Sequence, residues 1–144
     1  VIHADKKRQR LLNLTEEDRV FQLMRVYYAD GEPINYTTTY LPLRYFPGLE
    51  KYDFSKDSLY DTLENVYGVS LTHATRTIEA ILAHDDIAEY LDVEDGVPLI
   101  LFQCITMGVV NGKEVPVETL KCSYRSDKFK FYINQAGRGK PHGI

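Results

Sequence analysis

A chain of 144 residues, 44% hydrophobic and 26% charged, is sized for one domain with a core of its own and is too short for two ordinary ones. Its formal charge of −4 argues against a surface that grips nucleic-acid phosphates, and no apolar run approaches the ~18 residues needed to cross a bilayer. The first residues, "VIHADKKRQR", lack the pattern of a secretory signal, so the expected compartment is the cytoplasm.

Val1 and Ile2 are read as the end of a strand lying mostly upstream of this chain. Residues 5–14, "DKKRQRLLNL", are expected to be helical, with the basic residues forming a solvated face. Residues 20–28 alternate as a strand, with Val20, Gln22, Met24, Val26 and Tyr28 on one face and Phe21, Leu23, Arg25 and Tyr27 on the other. Arg25 thus shares a face with apolar neighbours, where a cation is costly unless a carboxylate, a phosphate or water meets it. The plain reading is a strand-edge arginine paired with a surface glutamate.

Asp30-Gly31 accepts the positive φ angles of a primed turn, which predicts a hairpin into the strand at 34–41, ended by Pro42. The hydroxyls of that strand can serve a polar ligand, Thr37 among them; the alternative is that Thr37 and Thr39 simply face solvent. A Pro-bearing connection, "LPLRYFPGLEKYDF", leads to "SLYDTLENVYG" at 58–68, where Leu59, Leu63, Val66 and Tyr67 recur at helical spacing and Gly68 ends the helix. Ser58 begins it as a cap, and a helix start presents unpaired N–H groups to an anion. Capping accounts for Ser58 but not for Tyr60, a further donor in the first turn.

Residues 70–83, "SLTHATRTIEAILA", alternate and are rich in Thr and Ile, so they are expected to form a strand. A helix follows at 84–93, with Asp85 or Asp86 as cap and Ile87, Ala88 and Leu91 on its apolar face. Asn111-Gly112 then marks a second hairpin, whose return strand carries Glu118 and Tyr124 on one face. These two can hydrogen-bond a polyol, or Glu118 can form a structural pair with Arg25. Helix, hairpin and turn thus occur twice, which suggests an internal two-fold repeat. Residues 134–144 have nothing to bury and are expected to form a flexible tail.

Cys104 and Cys122 fit neither a disulfide framework nor a zinc site, and His73 and His84 have no second ligand at metal spacing, so neither metal nor cofactor is expected. No Gly-rich phosphate loop, Gly-x-Ser-x-Gly elbow or paired-histidine motif occurs. The eleven tyrosines suit a pocket for a polar small molecule as well as a core.

The order "RVYYADGEPI", "TYLP", "FPGLEKYDFSKDSLYDTLENVYG", "LDVEDGVPLILFQC", "NGKEVPVE" and "YRSDKFKFYI" resembles the UTRA domain, the effector-binding half of HutC-subfamily GntR-type transcription regulators. The resemblance covers roughly residues 5 to 133 of a domain expected over residues 1–133. It implies an α+β, chorismate-lyase-like fold: a mainly antiparallel sheet flanked by helices. It also implies a homodimer and a winged helix-turn-helix, ahead of this chain, through which operator DNA is bound. In phosphosugar-sensing relatives an Arg-x-Arg strand and the "SLY" helix start hold the phosphate; Arg25, Ser58 and Tyr60 match, whereas Tyr27 stands at the second arginine. Thr37 stands where relatives often carry a sugar-binding Glu, while Glu118 and Tyr124 are kept. The implied ligand is a phosphorylated sugar or similar small anion. The alternatives are a chorismate-lyase-like enzyme and a dimerisation module with a vestigial pocket.

Overall fold

The structure, a computed structural model, describes residues 1–134, 136 and 137. Most of the expected tail at 134–144 lies outside the described residues. The strands are β1 (Ile2–His3), β2 (Arg19–Ala29), β3 (Glu32–Pro42), β4 (Ser70–Leu82), β5 (Pro98–Val110) and β6 (Lys113–Arg125). They form one sheet in the order β1-β2-β3-β6-β5-β4, antiparallel at every pairing. The helices are α1 (Lys6–Leu12), α2 (Leu59–Asn65) and α3 (Asp85–Tyr90), with a 3-10 turn at Leu49–Lys51. The fold is the expected mainly antiparallel α+β arrangement.

Both hairpins turn where the dipeptides place them. Asp30 and Gly31 have φ of 50° and 78°, and Asn111 and Gly112 of 51° and 76°, the left-handed pairs that let a two-residue turn follow the twist of its strands. The first half supplies β1, α1, β2 and β3, the second β4, α3, β5 and β6, and the halves meet along β3 and β6.

The two faces of the sheet are covered differently. On the back, α1 packs Leu12 against Leu14, Val20 and Tyr40, and α3 packs Ala88 and Leu91 against Leu99 and Tyr36. On the front, α2 and the 43–57 connection enclose Leu41, Phe46, Leu49, Phe54, Leu59 and Leu63. Apolar residues at two sequence periods thus seal both sides at the Pro42 end of the sheet, with α1 behind and α2 in front, while α3 covers the back of the other end. The rest of the front face, toward the other end of β2, β3, β6 and β5, is left free of helix.

Three details of the expected elements change. Asp5 caps α1 by accepting from the Arg8 N–H at 2.8 Å, but neither Asp85 nor Asp86 caps α3: His84 holds that position without a side-chain bond, and Asp85 has a φ of 48°. α2 ends at Asn65, so Val66 lies beyond it and is exposed. The basic face of α1 is not wholly solvated, because Arg8 is buried with its guanidinium 3.8 Å above the Tyr40 ring.

Alternation also breaks at one useful place. Thr106 pairs with Glu118 but Met107 with Pro116, so Val117 is the extra residue of a β-bulge. Val117 therefore enters the α2 core while its neighbour Glu118 also faces the front. Gly108 beside it admits no side chain: a Cβ there would lie 2.9 Å from Val69 Cγ1 and 3.2 Å from Val117 Cγ2.

Candidate functional site

A cavity of about 620 Å³ opens on the uncovered front face. Its floor follows the register of the sheet: Arg25, Thr37, Cys122 and Phe102 stand in one row across β2, β3, β6 and β5. Tyr27, Asn35 and Tyr124 form the next row on one side, and Leu120, Cys104 and Arg76 the next on the other. The start of α2 with Ser58 and Tyr60, and Phe129 after β6, make the walls. All seven residues singled out from the sequence, Arg25, Tyr27, Thr37, Ser58, Tyr60, Glu118 and Tyr124, border this one hollow.

Their roles within it differ from the sequence reading. Arg25 has no surface glutamate: none of the ion pairs among the described residues includes it, and its buried Nε has no hydrogen-bond partner. Its guanidinium lies 5.5 Å from the Tyr27 ring centre, a contact that adds cation–π attraction without neutralising the charge. Glu118 does not form the structural pair with Arg25. Instead its Oε1 accepts from Tyr60 Oη at 2.8 Å and from Thr106 Oγ1 at 2.7 Å. Both donors fall on one oxygen, which leaves Oε2 without a protein donor among the described residues.

Glu118 is only 1% exposed, and desolvation raises its pKa; the bonds from Thr106 and Tyr60 and the charges of Arg25 and Arg76 oppose that rise. Burial against Glu118 likewise pushes the Tyr60 phenol far above its usual value, and burial beside Cys122 pushes Tyr124 up to about 12. Both phenols therefore stay protonated donors at neutral pH. A carboxyl whose folded pKa exceeds its unfolded one binds more protons when folded, so its stabilising contribution is full below about 4.5 and is lost as pH rises through the folded value. Glu118→Gln, which keeps an acceptor for Tyr60 and Thr106, should be at least as stable as the parent at pH 7 and should lose this pH dependence, as read by urea denaturation from pH 4 to 8.

The hydroxyl-lined strand serves both faces. Thr37 and Thr39 are buried, at 4% and 0% exposure, so neither faces solvent. Only Thr37 borders the cavity, and its hydroxyl donates to Asn35 Oδ1 at 3.2 Å and lies 3.0 Å from Cys122 Sγ. Tyr36 stacks on Tyr90 and Tyr40 lies under Arg8, both on the back. Ser58 caps α2 as read, accepting from the Asp61 N–H at 3.4 Å.

The sequence reading missed Arg76, Asn35, Thr106 and Phe129. Arg76 was hidden because its exposed strand carried no motif, yet it places a second cation at the cavity in the absence of the second strand arginine. Phe129 follows the last strand and folds back onto Phe102 and Tyr124, at 5.7 and 4.2 Å between ring centres. Among the described residues no cluster of metal-ligating side chains occurs, and no helix is long and apolar enough to cross a membrane.

The family model of the UTRA domain matches residues 1–130. The chain belongs to the UTRA domain family. Its relatives are transcription regulators. YurK of Bacillus subtilis (strain 168), an HTH-type transcriptional regulator, is 31% identical over 96 residues, covering 67% of this chain and 40% of YurK. The crystal structure of the YurK C-terminal domain superposes with a TM-score of 0.85 at 27% identity, over 93% of this chain and 90% of that one. The mannosyl-D-glycerate transport/metabolism system repressor MngR of Escherichia coli (strain K12) is 26% identical over 92% of this chain and 54% of its own length. The effector domain of PhnF from Mycobacterium smegmatis superposes with a TM-score of 0.82 at 26% identity, over 94% of this chain and 82% of that one. This UTRA chain thus spans about half the length, or less, of YurK and MngR.

Proposed function

We propose that this UTRA domain is the small-molecule sensor of a transcription regulator, and that its ligand is a small anionic polyol of the phosphorylated-sugar type. One observation carries the reading: Arg25 holds a charged guanidinium with a buried, unpartnered Nε in a cavity that the start of α2 also borders. Such an arrangement is unfavourable empty of acceptors and favourable around an oxyanion, because charge-assisted bonds are the strong ones. Ser58 adds a hydroxyl at the same wall. Glu118 Oε2, with Tyr60 and Tyr124, offers acceptors and donors to the polyol, and Tyr124, Phe102 and Phe129 supply the apolar surface against which a sugar ring packs. The relative MngR is the repressor of a mannosyl-D-glycerate transport/metabolism system, and that compound too is a small anionic polyol, its charge a carboxylate.

In the parent protein, the domain acts as a homodimer whose occupancy biases a winged helix-turn-helix preceding it. The ligand must bind one arrangement of the dimer better than the other, with a coupling of ~1–3 kcal/mol that operator DNA returns reciprocally. Function in this account is transduction, not turnover. Thermal denaturation against matched pairs of sugars and sugar phosphates tests the ligand class. A cognate phosphate ester at a hundred times its dissociation constant should stabilise the fold by ~2.7 kcal/mol, and its unphosphorylated partner should not. Equal shifts for both members of each pair would remove the anion from the reading.

A further inference from the structure

The back of the sheet holds a second cavity, of about 280 Å³, between α1 and strands β4, β5 and β6. Its charged lining is of one sign: Lys7, Arg8 and Arg10 come from α1 and Lys121 from β6, and no carboxylate borders it. Asp5 lies 3.5 Å from Arg8, but none of the ion pairs among the described residues includes Lys7, Arg10 or Lys121. Long lysine side chains on a half-covered surface are free to swing their charges apart into water. Here Lys7 and Lys121 line one hollow, and after desolvation Lys121 is the main cause holding Lys7 below the ordinary lysine range.

The neutral lining gives a second, independent observation. Thr119 is 6% exposed and its Oγ1 has no hydrogen-bond partner; Arg8 is 8% exposed and its Nε has none. Both residues border the same cavity, beside the hydroxyl-bearing Thr75 and Thr77. Buried polar atoms are almost always satisfied, so two orphans and a pair of ammonium groups share one unmet need, an occupant rich in acceptor oxygens.

We propose that this hollow is a second anion-binding site, distinct from the front cavity, that takes a small multiply charged oxyanion of the phosphate-monoester type. Lys7, Arg10 and Lys121 supply the charge, and Thr119 and Arg8 supply the directed donors. The two sites lie on opposite faces of one partition, since Cys104 and Leu120 border both cavities. Occupancy of the back site therefore bears on the same stretch of β5 and β6 that floors the front one.

Titration calorimetry with inorganic phosphate at fixed low ionic strength tests the site, using Arg25→Gln to silence the front cavity. Arg25→Gln should still bind phosphate. Adding Lys121→Gln should weaken that binding at least tenfold, whereas adding Lys113→Gln, an exposed lysine at a hairpin turn, should not. Without phosphate, Lys121→Gln should melt at or above the parent temperature, because it removes a repulsion. Complete loss of phosphate binding in Arg25→Gln alone would overturn the site, and so would equal losses from Lys113→Gln and Lys121→Gln. Unchanged phosphate binding with altered sedimentation in Lys121→Gln would assign the cations to an acidic segment of a second copy instead. Should Lys121→Gln fail to fold, Lys7→Gln answers the same question with the same readouts.

Discussion

Arg25→Ala should weaken binding of the cognate anionic ligand by roughly thirtyfold or more while leaving the fold intact. Truncating one partner of a desolvated, hydrogen-bonded charge pair costs about 2–5 kcal/mol, which at 1.4 kcal/mol per decade is roughly a thirty- to several-thousand-fold rise in Kd. Stability should hardly change, since half-buried Arg25 makes no ion pair and its Nε is already unpartnered, so alanine removes little beyond the packing of its stem. Arg25→Lys should fall between the two, retaining the charge but losing the planar fork. Calorimetry on the three proteins checks the order; normal binding by Arg25→Ala would place the anion elsewhere. Because the phosphate experiment on the back cavity is run in an Arg25 variant, failure there and failure here are separate results.

The largest loss of stability is expected from Phe46→Ala. The ring is fully buried, edge-on to Tyr45 at 6.4 Å and Tyr67 at 5.4 Å, at the centre of the cluster that seats α2 and the 43–57 connection on the front of the sheet. Large-to-small changes of this kind cost about 3–5 kcal/mol. Phe46 does not line the cavity, yet the variant should also bind ligand more weakly. Tyr67 donates to Pro47 O at 2.8 Å, so the connection is tied to the chain just after α2, and Phe46 shares its cluster with Leu59 and Leu63 of the helix that carries Ser58 and Tyr60 at its start. Leu12→Ala provides the contrast. It opens a comparable hole in the back cluster under α1 and should cost about 2–5 kcal/mol with ligand affinity of the folded fraction unchanged. Denaturant unfolding and calorimetry on both variants distinguish a support role for the front cluster from general loosening.

Much of this arrangement is legible in the sequence because its determinants are local. Asp30-Gly31 and Asn111-Gly112 fix the hairpins through left-handed backbone, and the alternation of residues 20–28 puts Arg25 on the face of Phe21 and Leu23. Ser58 announces the helix start that borders the cavity. What escapes the sequence is non-local or violates periodicity. Glu118 and Val117 both face the front because a bulge absorbs one residue, and strict alternation allows only one of them there. Arg76 reaches the site because β4 lies three places from β3 in the sheet order, a fact of topology with no trace in its own neighbours. The threonine strand misleads in the opposite sense: Thr37, Thr38 and Thr39 look alike in sequence, yet only Thr37 borders the cavity, while Thr38 belongs to the back face and Thr39 is sealed in the interior.

The most direct test is a crystal structure of this chain with a phosphorylated sugar that has passed the thermal-shift comparison. The phosphate should sit on the front face within hydrogen-bonding distance of the Arg25 guanidinium and the Ser58 hydroxyl, with the sugar reaching toward Glu118 and Tyr124. A ligand bound with its phosphate away from Arg25, or with the front cavity collapsed and closed by packed side chains, would contradict the account.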